Sequence, residues 1–521
     1  MNLQRLLVSP AALAVAFALL VWGFWSTPLY DLDEGAFTEA TREMMESGNY
    51  VSIYLNGEPR HDKPVLIYWL QAASVHLFGL NEFALRLPSV LASLGWVWAL
   101  VSFGRRFVDR DTGIVAGLVL CLSLYVGLIA RAAVADALLH LFLALSLFEA
   151  YRYAQKPDRA THLRVFLWMG LGFLTKGPVA VLFPFLVSGI FYLSYGRWQD
   201  WLRAIFHLPG LLLFLAVVLP WHVAVYLDTG WAFFEGFYLH HNVNRYSGAM
   251  EGHAGGPFYY LIVAPLVVMP FAAWFILLLG KLGRVMDDPL DRYIWIWFLV
   301  VLGIFSFSGT KLPHYLLYGM SGVFLLMARY RESLARAWIH LVPGLSLLVL
   351  FCFLPFIFRH LASQTDRLYE TTLFLDGIEA FSGTAQWILV ALAIVAMGIS
   401  FIRATVWRRM LLVGFVQAVA VAFIVLPNVL GVMQDGPKAA ALHAREQGKS
   451  LVFHRVYQPS VSVYARQVIS RGDPEPGQWV YTRVDKLDEF MRQPSDYHKR
   501  VVFSQGVARL VAIEKKVEGP S

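Results

Sequence analysis

Residues 31–64 read DLDEGAFTEATREMMESGNYVSIYLNGEPRHDKP and follow an apolar run directly; their reading decides the fold. Only 15% of the chain is charged, yet Asp31, Asp33, Glu34, Arg60, His61, Asp62 and Lys63 crowd into this stretch at a membrane boundary. Charge there is costly unless it faces water or serves chemistry. The stretch therefore reads as a polar loop on the outer membrane surface, over a cavity formed by the other membrane helices. Asp33 is placed to cap a helix running to Ser47, with Gly48 ending it. Phe37, Ala40, Met44 and Met45 give that helix an apolar face. Glu39, Arg42, Glu43 and Glu46 give it a face for water or headgroups, which predicts an interfacial amphipathic helix. Residues 51–55 read as extended, Asn56-Gly57 as a turn, and Pro64 as the first turn of a second helix that reaches Gly79.

Outward from that loop, the 521 residues are 58% hydrophobic, the composition of a polytopic membrane protein. Hydropathy predicts about thirteen spans, among them 8–25, 83–103, 113–129, 258–279, 315–327, 339–358, 385–401 and 410–425. The first reads as a retained span, not a cleaved signal. Every second loop is basic, from Arg105, Arg106 and Arg110 to Arg403, Arg408 and Arg409. That alternation places those loops and the N-terminus in the cytoplasm, and the 31–64 loop, the 228–257 loop and the tail outside. From residue 434 the apolar runs stop; 450–453, 479–481 and 500–503 read as strands and 484–491 as a helix. The expected architecture is an all-α polytopic domain over 1–429, with its first outer loop at 28–82, and a small periplasmic α/β domain over 430–521. Cys121 and Cys352 lie in apolar runs and read as buried hydrophobes. The net charge of +7 points to anionic headgroups or a phosphate-bearing substrate, and not to nucleic acid.

With sidedness assigned, the unusual polar residues sort onto one face. Arg131 and Asp136 fall at one outer junction and Thr175, Lys176 and Gly177 at another. His240, His241, Arg245 and His253 occupy the second outer loop, and Lys311, His314 and Tyr315 begin a later span. They converge on the face that carries Asp33, Glu34, His61, Asp62 and Lys63. Each has a bland reading. Asp33 serves as a plain helix cap, the lysines as snorkelling anchors, Arg131 with Asp136 as an ion pair, and His241 and His253 as interfacial histidines. Three outward lysines run against the inside bias, however, and a bound anion accounts for them better. The set can gather a phosphate, take a proton from an attacking hydroxyl on a carboxylate, and stabilise a phosphate leaving group with lysines and Arg245. A lipid-linked phosphate suits a site where a buried tail meets an aqueous headgroup. Asp62 with His241 is a candidate divalent-metal pair of loose spacing.

Asp33-Glu34-Gly35, Ser47-Gly48, Asn56-Gly57 and Asp62-Lys63-Pro64 resemble the first outer loop of lipid-carrier-dependent glycosyltransferases of the GT-C fold. The aminoarabinose transferases acting on lipid A are the nearer likeness and the protein O-mannosyltransferases the more distant. Ala135-Asp136, Leu174-Thr175-Lys176-Gly177, His241-Asn242 with Arg245, His253 before Pro257, and Lys311-Leu312-Pro313-His314-Tyr315 continue it in order. The resemblance implies transfer of a sugar from a polyprenyl (undecaprenyl) phosphate, with inversion, to lipid A, another envelope glycan or glycolipid, or a protein. Asp33 matches the catalytic carboxylate and Lys63 a residue contacting the carrier phosphate. Asp136, Lys176, His241 and Tyr315 match cavity residues. One departure is Asp62, where the aminoarabinose enzymes usually carry Glu. A lipid transporter or flippase is the alternative; it predicts mid-span and inner-face polar residues with repeat symmetry, and the sequence has neither. A non-catalytic assembly or sensor protein would leave the gathered lysines unexplained.

Overall fold

The helix expected from Asp33 forms over Asp33–Ser47 in the computed structural model, and Gly48 ends it in the left-handed conformation at φ 70°. The structure describes residues 6–244, 255–256, 258–334, 338–493 and 497–515. Leu32 holds the cap position, so Asp33 is the first helical residue, exposed at the helix start. The interfacial reading of this helix is corrected: Glu39, Arg42 and Glu43 are buried together with Phe37, Ala40 and Met44. Arg42 grips Glu39 through two hydrogen bonds of 2.8 and 2.6 Å. Glu43 accepts the backbone N–H groups of Asn56 and Gly57. Charges so satisfied tolerate burial. Asn56-Gly57 turns an antiparallel ribbon of β1 (Tyr54–Leu55) and β2 (Glu58–Pro59), and a second helix, Leu66–Phe78, stops at Gly79.

Below the loop the chain is helical. Among the described residues, four helices have the length and composition to cross a membrane: Glu82–Phe107, Leu208–Thr229, Pro289–Phe307 and Val406–Glu446. Three bent pairs raise the number to as many as seven. The run at 113–129, expected straight, bends by 76° between Arg110–Leu122 and Leu124–Arg131. The break at Ser123 is affordable because the Leu124 N–H finds the Met269 carbonyl at 2.9 Å. The run at 258–279 divides into Tyr259–Val267 and Ala272–Leu279, with Pro270 in the gap. The run at 339–358 bends by 64° before Leu354–Gln364, and an unforeseen helix, Leu368–Phe381, makes a similar elbow with Thr384–Ile399. Leu77, Leu227, Trp387 and Phe401 are each more than 70% exposed. Apolar exposure of that degree suits a hydrocarbon surround and not water.

Val406–Glu446 runs unbroken out of the apolar part, loosening to a π turn at Val421–Val425 just before Pro427, which has no N–H to donate. The change of composition falls inside this rigid element. Beyond it stands a five-stranded sheet in the order β4-β3-β5-β7-β6. It is built from β3 (Leu451–Phe453), β4 (Ser470–Arg471), β5 (Trp479–Arg483), β6 (Tyr497–Gln505) and β7 (Ala508–Lys515). β3 pairs in parallel with β4 and β5, and β7 lies antiparallel to β5 and β6. One face packs on Ala440, Ala441 and Ala444 at the end of the long helix. The short helix Pro459–Ala465 lies against the loop helix and supplies the cover that hydropathy assigned to water.

Candidate active site

Three elements meet around Asp136. This residue opens the helix Asp136–Gln155, Lys176 closes the helix Arg159–Lys176, and Tyr315 and Tyr318 lie on a 3-10 helix, Pro313–Gly319. Three residues make one 3-10 turn, so the two tyrosines share a side; their rings stack 5.8 Å apart. The Lys176 ammonium sits 5.6 Å from each ring centroid and donates to Asp136 Oδ1 at 2.6 Å and to the Tyr318 hydroxyl at 2.9 Å. Tyr318 in turn donates to the same carboxylate oxygen at 2.8 Å. His314 Nε2 lies 3.6 Å from that oxygen.

A cavity of about 530 Å³ opens beside this cluster, and the outer loop supplies its other wall. Asp62, Lys63, Lys176, His241, Tyr315 and Tyr318 line the polar end, while Leu182, Phe237, Leu239, Ile304 and Phe305 line the rest. Arg60 holds both oxygens of Asp62, at 2.6 and 2.8 Å, and Lys63 donates to the Asp62 carbonyl at 2.9 Å. Burial alone would raise the Asp62 carboxyl, but Arg60, then Lys63 and His241, hold it well below the usual carboxylate range. Among the described residues, Arg60, Lys63 and Lys176 gather beside the carboxylates of Asp62 and Asp136, a cationic set suited to an anion. The described residues contain no group of three or more His, Cys, Asp or Glu able to hold a metal. Of the two candidate metal ligands, Asp62 is held by Arg60 at both oxygens.

A second cavity, of about 300 Å³, is lined by Tyr30, Glu34, Arg86, Arg131 and His314 together with apolar residues such as Leu128 and Ile129. Arg131 does not pair with Asp136. Its guanidinium donates to the carbonyls of Gly127, Trp22 and Leu20 at 2.8, 2.8 and 2.5 Å, closing the exposed end of the helix Pro10–Val21. Glu34 is fully buried; it takes Arg86 at both oxygens, 2.6 Å each, and the backbone N–H groups of Tyr30 and Ala133. Burial raises the Tyr30 phenol well above its ordinary value, with the negative charges of Glu34, Asp33 and Asp136 adding to it.

The remaining sequence candidates disperse. Asp33 lines neither cavity. Lys311 is buried and donates to the Ser308 carbonyl at 2.5 Å, next to the larger cavity. His61 packs edge-on to Phe233 at 6.0 Å, and burial lowers its imidazole. Arg245 and His253 lie outside the described residues. Arg86, Tyr318 and Tyr30 were not among the candidates. A lone arginine inside an apolar run, and a tyrosine one 3-10 turn after Tyr315, were the signals for the first two.

The family described as Dolichyl-phosphate-mannose-protein mannosyltransferase matches residues 62–223. An undecaprenyl phosphate-alpha-4-amino-4-deoxy-L-arabinose arabinosyl transferase of Pseudomonas aeruginosa (strain UCBPP-PA14) is 30% identical over 404 residues, 72% of this chain and 70% of that one. One of Shewanella sediminis (strain HAW-EB3) is 28% identical over 316 residues, 58% of this chain; the match spans 55% of its length, little more than half. Among solved structures, ArnT from Cupriavidus metallidurans bound to undecaprenyl phosphate superposes with a TM-score of 0.76 at 20% identity, covering 98% of this chain and 97% of that one. At that identity the likeness is one of fold.

Proposed function

This chain belongs to the family of the undecaprenyl phosphate-alpha-4-amino-4-deoxy-L-arabinose arabinosyl transferases, and from that premise we propose that it transfers a sugar from an undecaprenyl-phosphate carrier to an envelope acceptor, lipid A or another glycolipid or glycan. The larger cavity carries the reading. Its apolar wall suits an isoprenoid tail, and its polar end offers Lys63, Lys176 and the stacked tyrosines to the phosphate.

As the bond from the anomeric carbon to the carrier oxygen breaks, negative charge grows on the departing phosphate, and Lys63 and Lys176 stabilise it. Lys176 is fixed by Asp136 and Tyr318 before substrate arrives, so little reorganisation accompanies the step. The acceptor oxygen enters on the opposite face of the sugar, inverting the centre. Asp33 takes the proton of a hydroxyl acceptor; for a phosphate acceptor, already ionised, it orients the nucleophile. The same reading takes about thirteen spans in a bacterial inner membrane, a cytoplasmic N-terminus, residues 1–429 as the transferase part, and 430–521 as a periplasmic domain.

Transfer of radiolabelled sugar from its undecaprenyl phosphate, followed as free carrier released, tests the assignment. Asp33→Asn is expected to fold, to bind undecaprenyl phosphate normally, and to lose transfer. Turnover at the wild-type rate would remove Asp33 from the reaction.

A further inference from the structure

The short helix Pro459–Ala465 of the C-terminal domain reaches the outer loop with three side chains. Ser460 donates to Asp31 through its backbone N–H at 2.9 Å and its hydroxyl at 2.5 Å. Ser462 donates to the Asn56 side chain at 2.7 Å. Tyr464 accepts the Leu29 N–H at 2.7 Å and donates to Glu82 at 3.0 Å, where Lys438 of the long helix also arrives. A domain that merely docked could do so anywhere on the outer surface. These contacts bracket the start of the loop helix, the turn that carries Asp33.

Asp33 itself is exposed as the first residue of the helix, after a cap residue, Leu32, that offers no side-chain hydrogen bond, so the backbone of this turn sets where its carboxylate starts from. The first turn of a helix is also its most easily frayed part. On one side of Asp33 that turn is tied to the membrane part, through Glu34 and Arg86. On the other it is tied to the C-terminal domain, through Asp31 and Ser460. Gly35 is what lets the second tie form. A Cβ there would fall onto Asp31 Oδ1 and lie 2.7 Å from the Ser460 nitrogen. Glycine is a poor helix former. Its presence in this turn is explained by the close approach of the other domain.

We propose that Ser460 is a positioning residue for Asp33: acting through Asp31 across Gly35, it sets the first turn of the loop helix and with it the carboxylate that faces the acceptor. The C-terminal domain thereby becomes part of the transfer machinery. The proposal rests on the reading of Asp33 given above.

The full-length protein is assayed with radiolabelled undecaprenyl-phosphate sugar, and undecaprenyl phosphate binding is measured in parallel. A carboxylate displaced by a fraction of an ångström to an ångström costs turnover and not carrier affinity. Ser460→Ala is therefore expected to lower kcat by roughly 10- to 100-fold, with the donor KM and carrier binding within about twofold of wild type. Ser460→Thr, which keeps the hydroxyl, is expected to recover most of the kcat. Gly35→Ala should lose kcat in the same way even though alanine is the better helix former. An inactive Asp33→Asn beside wild-type kcat in Ser460→Ala and Gly35→Ala overturns the positioning role and leaves Asp33 standing. Wild-type kcat in Asp33→Asn removes both. Carrier affinity lost in step with kcat, or no recovery in a folded Ser460→Thr, also overturns the proposal, since a purely structural contact would behave so.

Discussion

At Glu34 and Arg86 the chain buries a complete ion pair beneath the outer loop, and the pair's surroundings show why it persists. Arg86 is the one charge between the end turns of the helix Glu82–Phe107, and it saturates its guanidinium with Glu34 and the carbonyls of Phe24, Thr27 and Pro28. Glu34 likewise accepts two backbone N–H groups besides the arginine. A buried pair of this kind adds little net stability over apolar residues of the same volume, but removing one member leaves the other uncompensated. Arg86→Ala is therefore expected to cost about 3–5 kcal/mol of stability, read as a large fall in the thermal midpoint of detergent-purified protein. Glu34→Gln with Arg86→Met should restore a substantial part of it. If Arg86→Ala melts with wild type, the knot does not hold the loop. Lys176 illustrates the opposite use of a buried charge. Its partners Asp136 and Tyr318 leave it on a cavity wall beside apolar surface, where an incoming phosphate meets it.

One element, the helix Asp33–Ser47, was legible in its bounds and misread in its surroundings. Gly48, the Asn56-Gly57 turn and the 3.6-residue spacing of Phe37, Ala40 and Met44 fix its extent from local chemistry alone. Nothing local distinguishes a polar face that meets water from one that meets a second domain's serines, because the periodicity is the same. The site divides along a similar line. Sidedness grouped Asp62, Lys63, Lys176, His241 and Tyr315, which share the larger cavity. It also grouped Arg131, whose business is with helix-end carbonyls hidden from any pattern of side chains. The buried contacts of this element carry a pH signature. Burial lifts the Asp31 carboxyl from 3.8 to about 7 against the opposing Ser460 hydrogen bonds. Between those values the folded chain keeps a proton that the unfolded chain has released, so stability falls as pH rises across that window and levels off above it. Asp62 runs the other way. Its carboxyl is depressed by Arg60 and Lys63 despite burial, so its contribution is whole above the ordinary carboxylate value and fades below it. Thermal unfolding from acid to neutral pH is expected to peak near the ordinary carboxylate value, at about pH 4. Asp31→Asn should flatten the decline on the neutral side and leave the acid limb intact; an unchanged neutral slope would mean that Asp31 is not its source.

At the scale of the whole molecule, Val406–Glu446 joins the apolar part to the sheet as one continuous helix, and Pro459–Ala465 returns from that sheet to the outer loop. The loop helix is thus enclosed between a part adapted to hydrocarbon and a part adapted to water. The larger cavity takes Asp62 and Lys63 from the loop to which the sheet domain is bound. Sidedness of the sheet therefore decides sidedness of the chemistry: if the domain faces the periplasm, so do Lys63 and Lys176, and so must the carrier's phosphate. Single cysteines read this directly. Of the two native cysteines, Cys121 is buried and Cys352 half-buried, so a Cys352→Ser background keeps the signal clean. Asp473 and Arg159 are exposed, the first in the sheet domain and the second at the start of the helix Arg159–Lys176, the end remote from Lys176. In right-side-out vesicles, Asp473→Cys is expected to react with a membrane-impermeant maleimide at once, and Arg159→Cys to react after the membrane is opened. The reverse pattern would put the lysine-lined cavity in the cytoplasm, where an envelope acceptor does not reach it, and the transfer proposed above would fail on topology before any kinetics were measured.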